Sequence, residues 1–280
     1  MLYNGEMKTE TVHNVTIPKI GFGTARLGGL ILPFRWRDAQ YLSVMRSALE
    51  LGYTHIDTAE LYALGHAEEL IGRALRESGT KREDVFITSK VFSNHLRYQS
   101  ALRACERSLR HLGTDYINLY LIHWPNASVP LSETFRALNQ LVHAGKIRHI
   151  GVSNFNVTQL KEAQSLSETP IITDQVPYSL FDRTYARNGL LDYCQKNDIL
   201  VTAYTPIGHN RISPPPDIQS IADAHHISLH QIALAWLVNQ PRVITIPMSF
   251  NPKHQQENLA AAEIVLSEEE MTRLNKAWEK

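Results

Sequence analysis

Three ionisable side chains recur at one interval in this chain of 280 residues: Asp57, Lys90 and His123 stand 33 residues apart, and Thr24 lies another 33 before Asp57. Each of the three ends a short apolar, β-rich run: Thr54-His55-Ile56-Asp57, Val85-Phe86-Ile87-Thr88 leading on to Lys90, and Tyr116 to His123. Taken singly, an Asp caps a helix, a Lys snorkels and a buried His is a satisfied core residue. A carboxylate, an ammonium and an imidazole on adjacent strand ends read differently, because buried charge is costly unless paired. Together they are groups that can hold and move a proton. Tyr62, five residues beyond Asp57 in the loop Glu60-Leu61-Tyr62-Ala63-Leu64-Gly65, is placed to hang over the same rim.

Strand ends converge only in certain folds, and the rest of the chain selects one. Five further strand-like runs occur at Ile20–Gly23, Ile147–Ser153, Ile171–Val176, Ile199–Tyr204 and Val243–Pro247, making eight. Between runs lie amphipathic segments: Asp38–Leu51 with Asp38 as N-cap, Ala67–Leu75, Leu96–Leu112, Ser132–Val142, and Ser267–Trp278 with a Ser267–Glu270 capping box. Gly52, Gly79, Gly113 and Gly145 follow the first four as stop signals. Alternating strands and helices form either an open doubly wound sheet or a barrel. The open sheet needs a G-x-G-x-x-G turn, but Gly21 and Gly23 are followed by Arg26 at the third glycine position. The expected fold is therefore α/β, a (β/α)8 TIM barrel, whose catalytic groups sit at the C-terminal ends of its strands. Val12-His13-Asn14-Val15-Thr16 reads as a β-hairpin plugging the opposite face. One domain over residues 1–280 is expected, with Pro214, Pro215 and Pro216 a stiff loop and not a boundary.

Composition narrows the function classes. Lys plus Arg and Asp plus Glu both number 28, so no global field holds nucleic acid or an anionic membrane. Small-molecule chemistry is expected, with a monomer as the default. Cys105 and Cys194 fit neither a disulfide framework nor a CxxC pair, and no signal-like or membrane-length apolar segment occurs; a cytoplasmic protein is expected. The 13 histidines raise the question of a metal. His226 and His230 straddle Ser228, itself an expected N-cap, and HExxH is missing, so no metal site is expected.

Six ordered segments resemble the aldo-keto reductases: Ile17-Pro18-Lys19-Ile20-Gly21-Phe22-Gly23-Thr24, Asp57-Thr58-Ala59-Glu60-Leu61-Tyr62, Thr88-Ser89-Lys90, Leu121-Ile122-His123-Trp124-Pro125, Gly151-Val152-Ser153-Asn154-Phe155 and Ala203-Tyr204-Thr205-Pro206. The resemblance runs from about Thr11 to Trp278. It implies reduction of aldehydes and ketones by NADPH or NADH, with a tetrad of Asp57, Tyr62, Lys90 and His123. Tyr62 would donate a proton to the carbonyl oxygen. A free phenol has a pKa of about 10, which the Lys90 cation is expected to lower; Asp57 would keep that ammonium charged and His123 would orient the substrate oxygen. Carried over in the same way, Ser153, Asn154 and Gln175 would bind the nicotinamide carboxamide and Tyr204 would stack on its ring. Gly23, Thr24, Thr205, Pro206 and Ile207 would line the cofactor channel, with Ser249, Glu257 and Asn258 at its adenosine end. Trp124 and Phe92 would face the substrate. The alternative implied by the family is a nicotinamide-binding regulatory or redox-sensing protein without turnover.

Two positions depart from that pattern. Met248 stands where the family has Lys, and His254 where it has Arg, the groups that hold the 2′-phosphate of NADPH. A phosphate monoester carries nearly two negative charges, so preference for NADPH is expected to weaken toward dual or NADH use, with Lys253 a partial substitute. The loop after Trp124 is short, that after Tyr204 is read as short too, and the chain stops at Lys280 just past the last helix. An open site for small aldehydes, dicarbonyls and aromatic carbonyls is expected.

Overall fold

The structure, a computed structural model, describes residues 7–208 and 216–277. The β-rich runs form parallel strands β3 (Phe22–Gly23), β4 (His55–Asp57), β5 (Phe86–Val91), β6 (Ile117–Ile122), β7 (Ile147–Ser153), β8 (Ile171–Pro177), β9 (Leu200–Tyr204) and β10 (Val243–Thr245), hydrogen-bonded in chain order. A parallel bridge from Ile20 to Thr245 joins the two ends, with Gly21 N donating to Thr245 O at 2.8 Å and Thr245 N to Lys19 O at 2.8 Å. The sheet thus closes into the eight-stranded barrel that the sequence predicts.

Before it, β1 (Thr9–Val12) and β2 (Val15–Pro18) pair antiparallel around His13 and Asn14, whose φ of 45° and 65° are those of a tight hairpin turn. Val12, Val15 and Ile17 pack on the inward-facing Leu119, Leu121, Ile172, Leu200 and Ile244 in a cluster separate from the main core. Leu119 and Leu121 precede His123 on the same face of β6, which puts this plug at the end of the barrel away from His123.

Around the strands lie α1 (Asp38–Glu50), α2 (His66–Ser78), α3 (Tyr98–Leu112), α4 (Leu131–His143), α5 (Val157–Leu166), α6 (Thr184–Arg187), α7 (Leu190–Lys196), α8 (Pro216–Ala224), α9 (Leu229–Val238), α10 (Pro252–Ala260) and α11 (Glu268–Lys276). Gly52, Gly79, Gly113 and Gly145 take left-handed φ just past α1 to α4, as expected. Capping boxes start α5 (Asn156–Gln159), α9 (Ser228–Gln231) and α11 (Ser267–Glu270). Asp38 differs from expectation: it lies inside the first turn of α1 and makes no cap, because its carboxylate accepts from His66 Nε2 at 2.8 Å. Trp278, Lys280, Pro214 and Pro215 lie outside the described residues.

Candidate active site

Neighbouring parallel strands are staggered: Asp57 pairs with Thr88, two residues before Lys90, and Lys90 pairs with Leu121, two before His123. The 33-residue interval therefore brings all three side chains inward at one rim. Lys90 is wholly buried. Its Nζ donates to Asp57 Oδ1 at 2.5 Å, to Thr58 O at 2.8 Å and to the Tyr62 hydroxyl at 3.4 Å. The other Asp57 oxygen accepts from Gln175 Nε2 at 2.8 Å. Burial pulls the Lys90 ammonium down, yet Asp57 and Tyr62 outweigh it and hold the group above an ordinary lysine.

Tyr62 departs from the sequence expectation. Burial raises its hydroxyl, the Lys90 cation opposes and Asp57 reinforces, and the net result is a pKa above that of a free phenol. Lys90 acts in the expected direction but does not win. The Tyr62 ring stands edge-on to His123, centroids 5.8 Å apart, and His123 stacks on Trp124 at 3.9 Å. Desolvation, helped by the Lys90 cation, pushes His123 down to about 2, so the imidazole is neutral; its buried Nδ1 has no partner.

A second set of polar groups adjoins the first. Asn154 Nδ2 donates to His123 O at 3.0 Å and to Ser153 Oγ at 2.9 Å, Ser153 Oγ donates to Gln175 O at 2.7 Å, and the Tyr204 hydroxyl donates to Asn154 Oδ1 at 2.9 Å. Asn154 and Thr205 both take positive φ at the ends of β7 and β9. Burial, the largest cause, raises the Tyr204 hydroxyl to about 12, which keeps it a donor. Amide and hydroxyl groups beside a fixed aromatic face fit the donors, acceptors and ring of a nicotinamide. Thr24, expected in the cofactor channel, is wholly buried and spends its N–H and Oγ1 on Asp57 O at 3.0 and 2.8 Å. At Gly23 a Cβ would come within 2.5 Å of Ile246 O, so glycine is what lets β3 close on the segment leading to Met248.

Farther out, Met248 is half-buried against the main core, Ser249 Oγ accepts from Asn251 N at 3.1 Å, and His254 is exposed on α10. Lys253 is 3.7 Å from Glu257. The segment does not join the hydrogen-bonded chain around Asp57. Phe92 meets Trp124 edge-on at 6.4 Å, and Trp124 is 38% exposed.

Several residues escaped the sequence reading. The buried Glu60 carboxylate accepts from Phe92 N at 2.6 Å, from His95 Nδ1 at 3.0 Å and from Arg107 at 3.1 Å, tying the Tyr62 loop to the Phe92 loop. That loop needs holding: Ala63, Leu64 and Gly65 all have positive φ, and strain of this kind persists only where its surroundings fix it. Leu30, Ile31, Leu32 and Trp36 are exposed on the β3–α1 connection, which meets the Tyr62 loop where Gly28 packs on Ala63. Their signal was available as an apolar run, Leu30-Ile31-Leu32-Pro33-Phe34, that fits neither strand nor helix between Gly29 and Asp38.

The model of the Aldo/keto reductase family matches residues 19–279. This chain belongs to that family. A methylglyoxal reductase of Escherichia coli is 38% identical over 275 residues, spanning 95% of this reductase and 92% of its relative. A glyoxal reductase of Bacillus subtilis is 37% identical over 231 residues, 82% of this reductase and 81% of the relative. Among solved structures, an aldo-keto reductase from Klebsiella pneumoniae in complex with NADPH superposes with a TM-score of 0.87 at 37% identity, covering 98% of this reductase and 96% of that chain. A thermostable aldo-keto reductase bound to epalrestat reaches a TM-score of 0.94 at 45% identity, over 97% and 100%. The activity is nicotinamide-dependent carbonyl reduction, and nothing in these relatives favours the regulatory alternative. Among the described residues no three His, Cys, Asp or Glu side chains converge on a metal position, and no helix is long and apolar enough to cross a membrane.

Proposed function

We propose that Tyr62 is the general acid of this reductase, protonating the carbonyl oxygen, and that Lys90, Asp57 and His123 tune and orient that transfer. Bound nicotinamide supplies hydride to the carbonyl carbon. The observation that carries the reading is the unbroken path from the Tyr62 hydroxyl through Lys90 Nζ and Asp57 to Gln175. As negative charge develops on the substrate oxygen, the Tyr62 proton moves to it, and Lys90 stabilises the phenolate left behind. Neutral His123 donates a hydrogen bond without competing as an acid, because burial keeps it unprotonated. Ser153, Asn154 and Gln175 hold the carboxamide, and Tyr204, its hydroxyl anchored on Asn154, presents a ring face. Gly23, Thr205, Pro206 and Ile207 line the channel to Ser249, Glu257 and Asn258; Thr24 serves by fixing Asp57.

The substrates are small aldehydes and dicarbonyls entering past Trp124 and Phe92, with steroids disfavoured; a panel in which steroids outcompete simple aldehydes would overturn that. Relatives named for methylglyoxal and glyoxal reduction support it. Loss of charge at Met248 and His254 supports a weakened preference for NADPH, with NADH used beside it. One barrel domain, working as a cytoplasmic monomer, completes the proposal, and a dimer in sedimentation would correct its last term.

The test is Tyr62→Phe. We expect kcat/KM for aldehyde reduction to fall by about 10²–10⁴ while binding of reduced nicotinamide, read by fluorescence, is unchanged. A variant keeping more than about a tenth of the rate refutes Tyr62 as the acid. Wild type that binds cofactor and consumes none refutes turnover.

A further inference from the structure

We propose that Arg26 and Arg37, on the connection between β3 and α1, supply the positive charge for the cofactor's adenosine 2′-phosphate that Met248 and His254 no longer provide. This rests on the nicotinamide-reductase reading above.

A cavity of about 430 Å³ opens between that connection, the first turn of α1 and Phe250. Arg26 and Arg37 line it with Phe34, Tyr41 and Phe250, and among the described residues no acidic side chain does. Its volume is in the range of small-molecule pockets. Charge accounting singles out these two arginines from their neighbours. Arg35 pairs with Glu69 at 2.9 Å, and the Asp38 carboxylate is used by His66. Among the described residues Arg37 meets only neutral groups, donating to Gln40 Oε1 at 3.0 Å and lying 5.9 Å from the Tyr41 ring centroid. Arg26 is exposed and has no hydrogen bond or ion pair among the described residues.

The cavity is continuous with the cofactor segment. Phe250 directly follows Met248-Ser249, and its ring lies 6.0 Å from that of Tyr41. Buried Gln255 fastens the junction by donating from Nε2 to Ser249 O at 2.9 Å and to Val44 O, on α1, at 3.2 Å. The connection is itself folded back, with Phe34 N donating to Gly28 O at 2.7 Å, and only glycine suits position 29, where φ is 135° and a Cβ would lie 2.1 Å from Leu32 O. Two guanidinium groups without acids, beside the fixed Ser249, match a phosphate monoester in charge and in planar hydrogen-bonding geometry. A bare hydroxyl at the same carbon offers them little.

Equilibrium binding decides the matter without reference to turnover. NADPH, NADH, 2′-AMP and 5′-AMP are titrated by fluorescence or calorimetry into wild type, Arg26→Ala, Arg37→Ala, the double variant and Arg26→Glu. We expect the double variant to weaken NADPH and 2′-AMP by about 10- to 100-fold, from charge-assisted hydrogen bonds, and NADH and 5′-AMP by under about threefold. Arg26→Glu weakens NADPH more than Arg26→Ala. Both sites are exposed, so folding is spared. Unchanged NADPH-to-NADH and 2′-AMP-to-5′-AMP ratios overturn the assignment and leave the reductase intact. Wild type that binds neither cofactor overturns both.

Discussion

Replacing Asp57 by Asn removes one charge from the centre of the site while keeping its shape. Lys90 Nζ lies 2.5 Å from Asp57 Oδ1. At an effective dielectric of about 20, two unit charges that close attract by about 7 kcal/mol, which sets the scale of what the substitution withdraws. Asparagine also turns a donor toward Gln175 Nε2, so the 2.8 Å bond there is kept only by rotating the Gln175 amide to present its oxygen. Removing one partner of a buried pair costs about 3–5 kcal/mol, a fall in Tm of several degrees for a chain this long. The catalytic consequence has a definite sign. Burial alone pulls the Lys90 ammonium down, and the charge of Asp57 opposes it most strongly. Without Asp57, Lys90 loses its proton at lower pH, and Tyr62 loses the cation that stabilises its anion. Two readouts follow: thermal unfolding, and kcat/KM for aldehyde reduction from pH 5 to about pH 10. We expect the rate near neutrality to fall by about 10²-fold or more, and the alkaline decline to begin at least about one pH unit below wild type. A variant whose profile superimposes on wild type, scaled or not, refutes the idea that Asp57 acts by keeping Lys90 charged.

Three further outcomes are expected. Restoring charge with Met248→Lys plus His254→Arg should raise the NADPH-to-NADH ratio of kcat/KM by about tenfold or more, while wild type stays below about a hundredfold preference; a larger wild-type preference contradicts relaxed cofactor use. Glu60→Gln should loosen the tie between the Tyr62 and Phe92 loops and lower kcat about tenfold with little change in nicotinamide binding, and equal rates show the clamp to be dispensable. His55 is wholly buried and, chiefly by desolvation, held at about 3, below its unfolded value of 6.5. Between those values the unfolded chain takes up the proton and the folded one does not, so stability is full above about pH 6.5 and is lost as pH falls toward 3. The loss is on the order of 5 kcal/mol, and His55→Gln should flatten the dependence of Tm on pH in that window.

The barrel was legible because its signals are local and repeated. Each strand run carries its own apolar pattern, each early helix its own glycine stop, and the 33-residue interval its own register. Later helices were harder to see: past His230 and Gln231, α9 is apolar on every side, so it carries no stripe for a periodicity reading to catch. The rim groups Asp57, Lys90 and His123 were legible from residue type and position at strand ends. Their balance was not. Lys90 beside Tyr62 suggested an easily released phenolic proton, whereas the net effect depends on how much water the barrel excludes, a property of the closed fold and not of any pair of residues. Glu60 and Gln255 stayed hidden for a similar reason, since each joins segments distant in the chain and has no spacing to reveal it.

That shifted balance bears on direction. At pH 7 an ordinary phenol with a pKa of about 10 is ionised about one part in a thousand, and forming its anion costs about 4 kcal/mol. Tyr62 lies above the ordinary value, so near neutrality it keeps its proton, which suits the proposed role of donor to a carbonyl oxygen. The reverse reaction asks the same oxygen to arrive as a phenolate and take a proton from an alcohol. Lys90 lowers that cost without abolishing it, because the burial that keeps the ammonium and carboxylate paired also penalises the new anion. With Tyr62 as the proposed acid, one desolvated rim is expected to favour reduction at neutral pH and to leave alcohol oxidation to gain as hydroxide rises. The asymmetry comes first from burial of the phenol, and Asp57, closer to Lys90 at 2.5 Å than Tyr62 is at 3.4 Å, adds to it. The carboxylate claims most of the cation, and the phenol keeps its proton until a substrate oxygen pulls it away.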